Sequence, residues 1–326
     1  MKSELAVLHS AAEWAEKYGA TARRAVISVG NFDGLHLGHQ RILRAVVQRA
    51  HTTGDLATVV TFDPHPMKVL RPQQAPLLVQ TLSQRLDGFA SFGIDAALVL
   101  HFDLALASLP AREFVRTLLV EKLRVSQILV GANFRFGHRQ EGNVALLDEM
   151  GAQFGFAVQT VEPVVVGGEV VSSTSVRRAI AEGRAGDAAQ LLGRPFALTG
   201  EIVRGSGRGS TIVFPTLNLA PEQELLPKTG VYATEAVLHG RTYRAATNVG
   251  FRPTFNGTHL SIETHLFNFA ETMTEGRLEV RFWERLRDEQ KFNGPEELRA
   301  QIAADIEQAR ELFRRHDQSA ATPQRA

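Results

Sequence analysis

The sequence predicts an α/β protein of two modules: an N-terminal parallel sheet wound with helices, and a C-terminal small antiparallel β-barrel with a terminal helix. Over the first half, short β-rich apolar runs alternate with amphipathic stretches, the rhythm of a parallel sheet covered on both faces. Beyond Gly193-Arg194-Pro195 the runs become period-two, closely spaced and joined by short turns, as in a small barrel. At 326 residues the chain is long for one hydrophobic core and comfortable for two.

Strands are expected over Ala25–Val29, Ala57–Phe62, Ala96–Leu100 and Gln127–Val130, each bounded by turn residues. Helices are expected between and after them over Gly38–His51, Leu82–Phe92, Ala111–Leu123 and Asn143–Phe154. A further helix over Ser175–Glu182 precedes a short apolar segment, Ala188–Leu192. The change of pattern puts a boundary near residues 185–195, giving modules 1–187 and 188–326. In the second module the period-two runs are Ala197–Val203, Val231–Leu238, Tyr243–Thr247, Ser261–Phe267 and Arg277–Trp283, with His239-Gly240 as a hairpin turn. An amphipathic helix over Pro295–Arg315 carries its proline just inside the start, and the tail from Asp317 reads as frayed.

Composition narrows the function. With no cysteine, disulfide frameworks, thiolate zinc sites and cysteine nucleophiles are excluded. Thirty-six basic residues against 35 acidic ones leave a net charge of +1, too small for a nucleic-acid footprint. No apolar run approaches the ~20 residues needed to cross a bilayer, and the opening stretch lacks a signal-peptide core. A soluble cytoplasmic protein with neither nucleic-acid nor membrane partners is expected.

The first strand runs into GNFDGLHLGHQ, residues 30–40. Gly30 and Gly34 permit a tight turn, and Leu35 onward opens a helix. A strand feeding a helix N-terminus through a glycine turn is a phosphate cradle, because free backbone N–H groups and the helix dipole both favour an anion. His36 and His39 share a helix face and can donate hydrogen bonds to charge growing on a phosphoryl oxygen. Two histidines near a helix start are by themselves ordinary surface residues, and a metal reading lacks evident third and fourth ligands. Three companions raise the phosphate reading: FDPHP (62–66), GANFRFGHRQEG (131–142) and SSTSVRR (172–178), each at a strand end or helix start. Ser173 or Thr174 can cap the last helix, and Arg177 one turn on offers a bidentate clamp.

Over about residues 15–185 this series resembles the FMN adenylyltransferase module of bacterial bifunctional riboflavin kinase/FAD synthetases, within the HxGH nucleotidylyltransferase superfamily. The resemblance implies a Rossmann-like fold. It implies that Gly30, Asn31, Phe32, Asp33, Gly34, His36 and His39 bind ATP with Ser173, Thr174 and Arg177, the two histidines acting catalytically. Phe62 and Asn133 are then on the FMN side. The chemistry agrees: the phosphate of FMN is already an ionised nucleophile, so positioning and charge stabilisation suffice and no general base is needed.

The second module opens with GEIVRGSGRGSTIVFPTLNL, residues 200–219. Gly205, Gly207 and Gly209 make a loop able to wrap phosphates with backbone amides. No Lys-Ser or Lys-Thr follows, so it is not a Walker A motif, and alone such a loop is more often a plain hairpin. Thr216 and Asn218 alternate to one face of a strand, where their oxygens could hold Mg²⁺ on a nucleotide. Glu263 lies inside a β-like apolar segment, an unusual setting for a carboxylate, though its polar neighbours also allow a solvated face.

With NVGFRPTFNG (248–257), SIETHLFNF (261–269) and ERLRDEQKF (284–292), this stretch looks like the riboflavin kinase module of the same family over about residues 190–315. The resemblance implies that Gly205, Gly207, Gly209, Thr216 and Asn218 bind ATP, with Thr216 and Asn218 holding Mg²⁺. It makes Glu263 the catalytic base and puts Asn248, Gly250, Arg252, Arg287 and Phe292 on the flavin side. Where the family usually reads Gly-Arg-Thr-Ile-Gly, this chain reads Gly209-Ser210-Thr211-Ile212-Val213. The expected activity is conversion of riboflavin to FMN and of FMN to FAD, each with ATP as co-substrate. Two alternatives stand beside it: an adenylyltransferase whose kinase is weakened by the altered loop, and a flavin-binding module without turnover.

Overall fold

The computed structural model describes residues 4–204, 214–254, 257–269, 271 and 273–321. The chain divides into two compact units, Met1–Ser173 and Thr174–Ala326.

The first unit holds strands β1 (Ala6–Leu8), β2 (Ala25–Val29), β3 (Leu56–Asp63), β4 (Ala96–His101), β5 (Val125–Gly131) and β6 (Ala157–Val161) in one parallel sheet. Its order is β1-β4-β3-β2-β5-β6. A small antiparallel hairpin, β7 (Val165–Val166) and β8 (Glu169–Val170), stands apart from it. The helices are α1 (Ala11–Tyr18), α2 (Leu37–Thr53), α3 (Pro66–Leu70), α4 (Leu82–Phe92), α5 (Leu104–Ala107), α6 (Ala111–Glu113) and α7 (Val144–Phe154). The expected helix over Ala111–Leu123 is thus α6 continued by a π-helical stretch, Phe114–Lys122.

β2 is buried along its whole length and builds both cores. Ala25, Ile27 and Val29 pack with Trp14, Phe114, Leu119 and Met150, while Val26 packs on the opposite face with Leu43, Val46 and Phe89. That alternation is the period-two pleat with a helical layer on each side. β2 pairs with β3 on one side and β5 on the other, so the strand order reverses there. In such sheets the crevice beyond the strand ends at the reversal is where ligands bind.

In the second unit, α8 (Ser173–Ala181) and α9 (Ala185–Leu192) lead into the barrel. The apolar segment expected at Ala188–Leu192 is the end of α9, closed by Gly193 at φ 67°. Strands β9 (Phe196–Val203), β10 (Leu217–Pro221), β11 (Gly230–Leu238), β12 (Arg241–Thr254), β13 (Gly257–Leu266) and β14 (Arg277–Arg287) close in the order β10-β13-β12-β11-β14-β9. Every pairing is antiparallel, and β9 pairs back onto β10. Inside, the buried hydroxyls of Thr234, Thr247 and Thr264 form a chain of 2.7 and 3.0 Å contacts, so three polar groups satisfy one another in an apolar interior. α10 (Pro295–Ala321) packs Ile306, Ala309 and Phe313 against Ala233, Ala246 and Phe267 on the outside of the barrel. The frayed tail expected from Asp317 is helical to Ala321, because the Arg244 guanidinium donates to the Asp317 carboxylate at 2.8 Å and ties that turn to the barrel. Among the described residues, no helix is long and apolar enough to cross a membrane.

Candidate active sites

The loop leaving β2 is held in an uncommon backbone shape. Phe32, Gly34 and Leu35 have φ of 52°, 89° and 42°, two of them on side chains that avoid this region unless their surroundings impose it. The imposing contacts are apolar: Phe32 is 2% exposed and meets the Phe89 ring edge-on at 5.6 Å, and Leu35 fills space over Gly88 that a Cβ would block. Asp33 is buried as well, its carboxylate accepting the amides of Val79 and Gln80 at 3.0 to 3.1 Å. The side chains of Phe32 and Asp33 therefore lock the loop from within. What they leave for a ligand is main chain.

The loop delivers His36 as the N-cap of α2, its Nδ1 accepting the His39 amide at 3.3 Å. That bond puts the ring proton of His36 on Nε2, where it serves as a donor. The two imidazoles stack with centroids 3.7 Å apart and planes 20° apart. Gly38 makes the arrangement possible, because a Cβ there would come within 3.1 Å of the His36 ring. Ser173, the first residue of α8, donates its hydroxyl to the Asp33 carbonyl at 2.9 Å, so that hydroxyl braces the loop. Thr174 is exposed and Arg177 half-buried, both in the second unit.

Asn31 links this loop to the FDPHP turn. Its side-chain amide lies 3.1 Å from His65 Nε2. The Asn31 atom that faces His65 is Nδ2, and His65 Nδ1 caps α3 by accepting the Met67 amide at 3.2 Å. Neither His65 nor the buried Arg85, which donates to the Asn31 carbonyl at 2.9 Å, stood out in the sequence. Half-buried Phe62 meets Phe102 edge-on at 5.6 Å, and Asn133 is exposed in the loop after β5. That loop is shaped by Gly137 and Gly142, where any side chain would strike Ala111, and by Glu141, which accepts the Ala111 amide at 2.7 Å.

On the barrel, the strand register brings the expected kinase residues onto one rung. Glu263 is the direct partner of Asn218 on β10 and of Asn248 on β12; Asn248 pairs with Val231, and Val231 with Arg287. Directly paired residues share a face, and the buried Ile262, Thr264, Thr247 and Val249 alternate with them to the interior. Asn218, Glu263 and Asn248 therefore project together from the outer wall, half-buried. Ser261 donates to Glu263 at 3.0 Å. Thr216 precedes Asn218 by two residues and is exposed; His265 donates from Nδ1 to the neighbouring Pro215 carbonyl at 2.9 Å. Gly250 leaves room for the Glu289 carboxylate, which a Cβ would overlap.

Arg287 is tied to the terminal helix. Its guanidinium grips Asp305 of α10 through two 2.8 Å bonds, with its Cζ 5.8 Å from the centroid of the Phe292 ring. Arg252 lies on β12 opposite His259. Gly205, Gly207 and Gly209 lie outside the described residues. Thr216 and Asn218 are hard neutral oxygen donors beside a carboxylate, a set that fits Mg²⁺, which keeps waters and phosphate oxygens and takes few protein ligands. Among the described residues, no group of three or more His, Asp or Glu forms a metal cluster of its own.

A family model described as FAD synthetase matches residues 19–175, and one described as riboflavin kinase matches residues 192–313. The chain is 37% identical over 289 residues to a bifunctional riboflavin kinase/FMN adenylyltransferase of Escherichia coli (strain K12), covering 88% of this chain and 92% of that protein. A Pseudomonas fluorescens protein of the same description is 37% identical over 291 residues, covering 89% and 93%. A solved structure from Streptococcus pneumoniae, described as a macrolide-efflux protein, superposes with a TM-score of 0.84 at 29% identity over 94% of this chain and 98% of that one.

Proposed function

The chain belongs to the bifunctional riboflavin kinase/FMN adenylyltransferase family, and from that premise we propose how its residues divide the two reactions. The protein phosphorylates riboflavin to FMN with ATP and adenylylates FMN with a second ATP to give FAD and pyrophosphate. The boundary between the activities is proposed at residue 187, in the interval between the two family matches.

For the kinase, the reading is carried by the rung that sets Glu263 between Asn218 and Asn248. Glu263 accepts the 5′-hydroxyl proton of riboflavin as that oxygen attacks the γ-phosphorus; the bond to the β-phosphate oxygen breaks and ADP leaves. Thr216 and Asn218 would hold Mg²⁺ on the nucleotide, where it would neutralise phosphate charge, and Gly205, Gly207 and Gly209 would serve the same ATP. Asn248, Gly250, Arg252, Arg287 and Phe292 line the flavin side, Arg287 being held there by Asp305.

For adenylyl transfer, a phosphate oxygen of FMN attacks the α-phosphorus of ATP, the α–β bond breaks and pyrophosphate leaves. His36 and His39 donate to the charge that develops, and the main chain from Gly30 to Gly34 cradles the phosphates. Ser173, Thr174 and Arg177 serve the same nucleotide, and Phe62 and Asn133 the FMN. The protein is proposed to work in the cytoplasm, where ATP is supplied.

The test is incubation with riboflavin, ATP and Mg²⁺, followed by chromatography of the flavins. FMN and then FAD are expected. FAD formed from supplied FMN without any phosphorylation of riboflavin would overturn the kinase assignment.

A further inference from the structure

We propose that Arg85 is a positioning residue for adenylyl transfer: a guanidinium buried behind the nucleotide loop that fixes Asn31 to the end of β3 and lends fixed positive charge to the phosphate pocket. The inference rests on the adenylyltransferase reading of that loop. Arg85 sits on α4, 4% exposed. Its Nη1 donates to the Asn31 carbonyl at 2.9 Å, to the Thr61 hydroxyl at 3.3 Å and to the Phe62 carbonyl at 3.4 Å. One nitrogen thus joins the main chain leaving β2 to the end of β3, the two strand ends that carry GNFDG and FDPHP. No apolar side chain could make that junction.

The charge is only loosely compensated. The Asp63 carboxylate stands 3.7 Å from Nη2 and is 48% exposed, and Asp33 is turned toward the amides of Val79 and Gln80. Nε of Arg85 is buried with no hydrogen-bond partner among the described residues. Burial accordingly lowers its pKa from the ordinary value, against the pull of Asp33 and Asp63. A buried cation so incompletely paired is costly to the empty protein, and arriving phosphates supply the missing negative charge through a medium that screens poorly.

The test compares Arg85→Met and Arg85→Lys for FAD formation from FMN at varied ATP, with thermal unfolding of each variant and phosphorylation of riboflavin by the same protein as an internal control. Arg85→Met is expected to lose about tenfold or more in kcat/KM for ATP with the kinase unchanged. Arg85→Lys is expected to recover most of the KM for ATP but not kcat, because an ammonium keeps the charge without bridging both strands. Wild-type kcat/KM in Arg85→Met overturns the proposal, as does equal loss in both variants that merely follows their Tm. If Arg85→Met does not fold, Arg85→Lys decides alone: near-normal KM with lowered kcat supports the proposal, and unaltered kcat overturns it. Absence of FAD from the wild-type protein would instead overturn the adenylyltransferase reading, and this inference with it.

Discussion

Glu263 and Asn218 face each other directly across β10 and β13, so the proposed base and a proposed metal ligand keep one spacing fixed by the barrel's own hydrogen bonds. Glu263→Gln preserves the shape and removes the proton acceptor. FMN formation should fall by about 10²-fold or more while FAD formation from supplied FMN is unchanged. Parallel loss of both activities in flavin chromatography would refute the division of labour.

Gly38→Ala separates packing from stability. Gly38 is the second residue of α2, in its first turn, where alanine also fits a helical backbone and no loss of helix stability is expected. The added Cβ would press on the His36 ring at 3.1 Å. Adenylyl transfer should drop about tenfold or more with Tm unchanged or raised. Full activity would show that the exact seat of His36 does not matter.

Asp305→Ala removes the carboxylate that both holds Arg287 and accepts from Gln301 at 2.9 Å. Losing one partner of a buried pair costs about 3 kcal/mol, since the other charge stays behind. The urea midpoint of the second unit should fall accordingly. Riboflavin affinity should weaken as well, because Phe292 lies against the same guanidinium.

Asp55 gives a pH signature remote from the chemistry. Burial pushes its carboxyl up, but hydrogen bonds from Ser126, Thr53 and the Arg24 amide, with the Arg24 charge, outweigh burial and leave it below the ordinary value. A lowered carboxyl contributes stability that is present above its unfolded pKa of about 3.9 and is lost as pH falls through the folded value. Asp55→Asn should therefore lower stability at pH 7 and flatten the acid limb of a urea-midpoint curve. An unchanged acid limb would exclude the linkage.

Much of this was legible in the sequence because periodicity records which face is buried. Leu82–Phe92 reads as a helix and is one, and Asn218 falls on a strand as expected, whereas Thr216 lies just before β10 begins. β1 and β6 escaped because one spans three residues and the other is a largely exposed edge strand. Phe32 and Asp33 read as nucleotide contacts by their place in the motif, yet their side chains face the interior, a distinction only tertiary packing makes. Arg85 was invisible for the same reason: an arginine in an amphipathic helix ordinarily faces water, and only the packing of α4 brings it beneath two strand ends. Arg287 was legible as important but not as the partner of Asp305, eighteen residues on.

Val203 and Asn218 are themselves direct cross-strand partners. The glycine-bearing segment thus departs from and returns to one closed ladder, which keeps its two anchors apart by a fixed distance whatever lies between them. Substitutions between Val203 and Asn218 therefore leave the ladder that carries Asn218 in place. Nucleotide affinity and phosphoryl transfer become traits that drift separately, and grafting a relative's segment between these two residues would retune the first while leaving the second in place.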